Sequence, residues 1–154
     1  MNEKIFFEKI LNLRWSIEHN MFKMFVKSYD MPKGIKQTHA IAMMITRHRD
    51  KISMSELSNA LNLEKGSFTT VADKLLKLGY VESHRGEADR RKYYLKLTEK
   101  GLDFTEKFGA SHMDYVENIF SGLNNDRREE LIASLNKVEE IFKEVGISMM
   151  GCEK

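Results

Sequence analysis

Four cationic side chains, Arg85, Arg90, Arg91 and Lys92, crowd into one short stretch of the segment GYVESHRGEADRRKYYLKLTEKG, residues 79–101. Tyr80 to His84 and Lys92 to Leu97 read as strands on either side of it, which makes a hairpin with a basic tip. Such a tip is poor core material, but it suits a phosphate backbone or a minor groove. A second polar set precedes the hairpin. Lys65, Ser67, Thr69, Thr70, Asp73, Lys74 and Lys77 share the face opposite Phe68, Val71, Leu75 and Leu78, whose 3, 4, 3 spacing marks the apolar side of a helix from Lys65 to Leu78. Short hydroxyl side chains on that face permit close approach to base edges.

The elements that must position these residues are mostly helical. Phe6, Ile10, Leu13, Ile17, Met21 and Met24 form one stripe of a helix from about Glu3 to Tyr29, which the sequence Met31-Pro32-Lys33-Gly34 stops. A second helix, about Lys36 to Arg47, is apolar almost all round and calls for burial. Ser53, with Glu56 three residues on, predicts a capping box for a short helix through Leu61. That helix and the one from Lys65, joined by a short turn, make a helix-turn-helix whose second member would lie in a major groove. Gly79 suits the residue just past a helix end, and Thr98 can cap the helix that follows the hairpin. Phe104, Phe108, Tyr115 and Ile119 mark that helix to about Phe120, with His112 in the skipped turn. Asn124 or Asn125 caps the last helix, striped by Leu131, Leu135, Val138, Phe142 and Val145. The fold class expected is mainly α with a small β-hairpin wing, a winged helix-turn-helix flanked by N- and C-terminal dimerisation helices. The boundaries expected are 1–34, 35–100 and 101–154. The outer helices carry more apolar stripe than one small module can cover, so a homodimer is the economical arrangement.

Composition agrees with a globular chain. Of 154 residues, 42% are hydrophobic and 31% charged, which argues against disorder. No apolar run reaches the roughly 20 residues that span a bilayer, and Glu3, Lys4, Glu8 and Lys9 interrupt the N-terminus as no secretory signal would. A cytoplasmic location is expected, with no membrane partner. Cys152, the single cysteine, excludes an intrachain disulfide and a cysteine-built metal centre. Net charge is +2, but residues 47–101 hold +4 and residues 102–154 hold −5. Basic charge gathers where the hairpin lies, as a polyanion partner requires.

From Ser53 to Gly101 the chain resembles the MarR family of bacterial winged helix-turn-helix repressors. The resemblance rests on Leu57-Ser58-Asn59-Ala60-Leu61, Asp73-Lys74-Leu75, Leu78-Gly79-Tyr80-Val81, and Asp89-Arg90-Arg91 followed by Leu97-Thr98-Glu99-Lys100-Gly101. It implies a homodimer on an inverted-repeat operator in double-stranded DNA, each second helix in a major groove and each wing tip at a minor groove. It further implies that Ser67, Thr69, Thr70 and Lys74 face DNA, that Arg91 is the wing-tip arginine, and that Asp89 orients it. Glu64 stands where the family often opens this helix with serine or threonine, and Gly66 removes a side chain near the groove.

An effector cleft between arms and winged domain, also implied by the resemblance, would draw on Trp15, His19, Phe22, Met43 and Met44. Such a lining suits a small apolar or aromatic molecule. The bland reading, in which these residues are simply core, stands beside it. His19 and His39, with Glu18 or His112, could hold zinc only through long-range folding, because no histidine pair has helical metal-site spacing; no metal or other cofactor is expected. Nor is an enzyme: there is no glycine-rich phosphate loop and no nucleophile with a recognisable partner. The reading is a ligand-responsive transcriptional repressor. Its rivals are a winged-helix module that docks protein and a metal-responsive regulator.

Overall fold

The computed structural model describes residues 2–49, 51–86 and 91–146. Helix α1, Glu3–Ile17, opens at Asn2, whose Oδ1 accepts from the Ile5 amide at 3.4 Å. The expected long helix then changes gauge. Residues Glu18–Lys23 form a π-helical turn before α2, Met24–Ser28, resumes the ordinary ladder. His112 Nε2 donates to Met21 O in this turn, at 2.7 Å. The helix ends before Pro32, whose carbonyl accepts from the Ile35 amide while Gly34 takes a φ of 87°.

Helix α3, Gln37–His48, buries His39, Ala40, Ala42, Met43 and Thr46, as its apolar girth requires. A two-residue strand, β1 (Ile52–Ser53), leads into α4 (Met54–Ala60), and the capping box is present: Ser53 Oγ accepts from the Glu56 amide and Glu56 accepts from the Ser53 amide. Asn62 turns the chain at a φ of 50°, a conformation asparagine tolerates, and Ser58 closes the turn by bonding Leu63 O at 2.9 Å. Helix α5, Lys65–Lys77, follows, then β2, Val81–Arg85, and β3, Tyr93–Leu97. The sheet order is β1-β3-β2, antiparallel throughout, with Arg85 opposite Tyr93 and Val81 opposite Leu97.

The hairpin is as expected, but β1 adds a third strand that period-two alternation could not reveal in two residues. Its contribution is Ile52, placed opposite Leu95, and both are sealed from solvent. Together with Met43, Leu57, Phe68, Ala72 and Leu75 they make the core under the helix-turn-helix. Ala72 is the deepest α5 residue, whereas Val71 and Leu78, expected on the same face, are half-buried.

Helix α6, Glu99–Ile119, is capped by Thr98, and α7, Asn125–Glu144, by Asn124, whose Oδ1 accepts from the Arg127 amide at 2.9 Å. The chain divides into two compact units within α6, after His112. In the first, Phe25 packs on Phe108 and stacks on His112, with ring centroids 5.1 and 4.4 Å away. The second contains α7, which buries no residue; α1 buries none either. No described helix is long and apolar enough to cross a membrane.

Candidate nucleic-acid interface

Helix α5 sorts its side chains cleanly. Phe68, Ala72 and Leu75 go inward, while Ser67, Thr69, Thr70, Asp73 and Lys77 are exposed. The outward polar row on which the sequence reading rests is therefore present in the fold. Thr70 Oγ1 bonds back to Gly66 O at 3.3 Å, so at rest its hydroxyl lies along the helix. Lys74 departs from the outward row: it is half-buried, and a Cβ on Gly34 would stand 3.3 Å from its Cε and Nζ. Lys65 opens the helix after Glu64, which gives no side-chain cap. The Lys65 side chain, and Asp89 and Arg90 entirely, lie outside the described residues.

On the hairpin, Arg85 Nε donates to Tyr93 Oη at 3.1 Å, and its guanidinium sits 5.5 Å from the centre of the Tyr93 ring. This cross-strand pair stiffens the stem of the wing. Above it the Gly86 amide donates to Lys92 O at 2.9 Å and narrows the neck of the loop. Arg91 and Lys92 are exposed beyond that neck. Between wing and helices runs an open groove of about 440 Å³, lined by Ser55 and Ser58 from α4, Thr69 from α5, and Ser83, Arg91 and Tyr93 from the hairpin. Thr69 and Arg91, well separated in sequence, thus share one wall-to-wall space. Nearby, hydrogen bonds from the Ser53 hydroxyl and amide, with Arg49 and Lys92 adding positive charge, hold the Glu56 carboxyl below its usual range.

Sequence reasoning missed Tyr93, Ser55, Ser58 and Ser83. Tyr93 could have been found only with the hairpin register, which the length of the intervening segment conceals in the sequence. The serines come together through tertiary packing.

The proposed effector residues occupy different settings. Trp15, 64% exposed, stacks on His19 with centroids 4.9 Å apart, beside a shallow recess lined by Leu11, Asn12, Arg14 and Glu18. Phe22 meets His112 edge-on at 5.1 Å. Met43 is fully buried and belongs to the core, and Met44 lies near Gly109. Among the described residues no three histidine, cysteine, aspartate or glutamate side chains gather as a metal site.

A helix-turn-helix whose second helix turns a polar face outward, beside a short sheet ending in a basic hairpin, defines the winged-helix class of DNA-binding regulators. Residues 33–92 match the model of the MarR family. Over that segment the chain is similar to the MarR family, and the relatives it matches are named as transcriptional regulators. It is 29% identical over 104 residues to the HTH-type transcriptional regulator YkoM of Bacillus subtilis, covering 68% of each chain. With the transcriptional repressor MprA of Escherichia coli it shares 31% over 101 residues, which is 64% of this chain and 57% of MprA. The fold is similar to wild-type MarR from Escherichia coli without ligand (TM-score 0.72, 23% identity, 82% of this chain and 93% of that one). It is also similar to Streptococcus pneumoniae FabT in complex with DNA (TM-score 0.69, 23% identity, 90% and 99%).

Proposed function

We propose that this regulator is a repressor that binds an inverted-repeat operator as a homodimer and releases it when a small apolar or aromatic effector binds. The observation that carries the reading is the pairing of the polar row on α5 with the basic wing across one groove. The row supplies close-approach hydroxyls for base edges, and Arg85, Arg91 and Lys92 supply cations for the backbone, with Arg90, Lys65 and Asp89 assigned to the same surface from the sequence. Lys74 serves at the flank of the row. Repression is in keeping with the relative MprA, and DNA binding with FabT, whose structure was solved on DNA. The dimer is supported by α1 and α7, two amphipathic helices without a buried residue.

The organisation proposed is an N-terminal arm to residue 34, a reading domain over 35–100 and C-terminal arms beyond, in the cytoplasm. Trp15, His19, Phe22 and Met44 stand as the effector residues, with Met43 supporting them from the core. An effector acts by favouring a dimer in which the two α5 helices no longer match the half-site spacing, and its power is limited to its differential affinity for the two states.

The test is selection from a pool of random duplex DNA with the bound fraction sequenced, followed by salt titration of the enriched duplex. An enriched inverted repeat, with affinity falling steeply as salt rises, is expected. Salt-insensitive binding, or none, would point to a protein-docking surface instead.

A further inference from the structure

Three successive carbonyls at the exit of α5 are taken up by one short segment at the start of α6. Leu78 O accepts from Lys100 Nζ at 2.8 Å, Gly79 O accepts from Thr98 Oγ1 at 2.7 Å, and Tyr80 O accepts from the Thr98 amide at 3.1 Å. Thr98 Oγ1 also accepts from the Gly101 amide at 3.2 Å, so one hydroxyl caps α6 and holds the end of α5. Gly101 makes the approach possible: a Cβ there would stand 2.1 Å from Tyr80 O, far inside any contact distance. The Lys100 ammonium lies 4.4 Å from the centre of the Tyr80 ring, and Tyr80 is buried with its ring edge-on to Phe104 at 5.7 Å.

Helix α5 does not need these bonds in order to end. The Tyr80 amide reaches back to Leu75 O and the Gly79 amide to Leu76 O, each at 3.0 Å, with Gly79 at a φ of 72°. That is a complete helix stop in itself. The bonds from Thr98 and Lys100 therefore settle where the end of α5 sits, not whether the helix ends. Lys100 also places its charge at the negative end of the α5 dipole.

We propose that Thr98, Lys100 and Gly101 are positioning residues for DNA recognition, a clasp that sets the pitch of the reading helix in the groove by fixing its C-terminal end to α6. The proposal rests on the reading of the chain as a sequence-specific DNA-binding protein. Leverage explains why a clasp at this end matters. A helix of 13 residues is about 20 Å long, so a tilt of about 10° at one end moves the other by roughly 3 Å, the full length of a hydrogen bond. Base contacts made near Ser67 and Thr70 do not survive such a displacement. Lys100, basic and close in sequence to the wing, is thereby removed from the set of phosphate contacts.

The experiment compares the full chain with its Lys100→Met, Lys100→Arg and Thr98→Val variants. Each is titrated with salt on the duplex enriched by the original chain and on unselected duplex. Lys100→Met and Thr98→Val are expected to lower the ratio of specific to non-specific affinity by about tenfold, comparable to one lost base contact. The salt slope on unselected DNA stays where it was, and Lys100→Arg, which keeps a cationic donor, restores most of the ratio. Amide exchange of Leu78, Gly79 and Tyr80 rises in Lys100→Met while the sheet stays protected. If Lys100→Met does not fold, Lys100→Gln takes its place.

An unchanged ratio in Lys100→Met overturns the clasp. So does a drop of about one unit in its salt slope with equal losses on both duplexes, which would make Lys100 a phosphate contact. If the original chain enriches no sequence, the repressor reading fails and the clasp with it. Enrichment by the original chain with unaltered variants defeats the clasp alone.

Discussion

Helices α5 and α7 carry the same kind of apolar stripe, yet the fold treats them oppositely. Around α5, the side chains of Met43, Ile52, Leu57, Leu75 and Leu95 are at most 1% exposed. Along the α7 stripe, Leu135 is 52% exposed and Val138 40%, and the α1 stripe likewise leaves Leu13 at 52%. A stripe states that a helix needs a partner, and it does not say where the partner comes from. For the reading module the partner is the rest of the same chain. For the arms, α1 and α7 bury no residue, and the second copy proposed above would supply the cover.

The harshest way to break this contrast is Leu135→Asp. A charge in the middle of the α7 stripe is expected to convert the proposed dimer to a monomer in sedimentation, with the helical signal of the reading module retained. Affinity for a two-half-site duplex then falls by about 10²- to 10⁴-fold, because the second half-site is no longer reached intramolecularly. Persistence of the dimer, or a monomer with undiminished affinity, would remove α7 from assembly. The matching cut inside the module is Leu95→Ala. It opens a cavity beneath the central strand against Ile52 and should cost about 2–5 kcal/mol in denaturant unfolding. A cost below 1 kcal/mol would mean that the module's core is not what holds it together.

How far the sequence led depends on what each feature leaves as a trace. The proline-glycine stop, the Ser53 capping box and the Thr98 and Asn124 caps are local, and all reappear in the fold, whereas the α5 stripe shifts to Ala72. The π-helical turn at Glu18–Lys23 left no trace, because the side chain that bonds into it, His112 on Met21 O, lies 91 positions further along the chain. Strand β1 is too short for periodicity. Lys74 falls on the outward face by spacing, but the Gly34 turn packs against it. The clasp proposed for α5 was legible only in part: Thr98 was read as the cap of the following helix, while Lys100 and Gly101 stood only in a family pattern.

A sharper version of the comparison separates the module's core from its outer face. Arg91→Ala should leave the unfolding midpoint within experimental scatter, since Arg91 is exposed, and should lower the slope of log affinity against log salt by about one unit. A slope that does not move would take the wing tip out of phosphate contact.

The smallest expected effect probes the seam between α3 and α5. His39 is buried at the first turn of α3, and its Nδ1 accepts from the Lys36 amide at 2.9 Å, a bond only the neutral ring can make. Burial, then the charges of Lys36 and Lys74, lower its pKa below the usual 6.5. The unfolded chain therefore binds a proton before the folded one does. The contribution of neutral His39 is complete above about pH 6.5 and is lost as pH falls from there toward the lower folded value. Glu56, also lowered, loses its contribution in a separate window, below its usual 4.5. Between pH 5 and 7 the downward slope of stability should thus flatten in His39→Gln, whose amide oxygen can accept the same bond without titrating. If the slope survives, another group carries the proton. If it disappears, the seam that holds Lys74 beside His39 is an acid-sensitive point of the module.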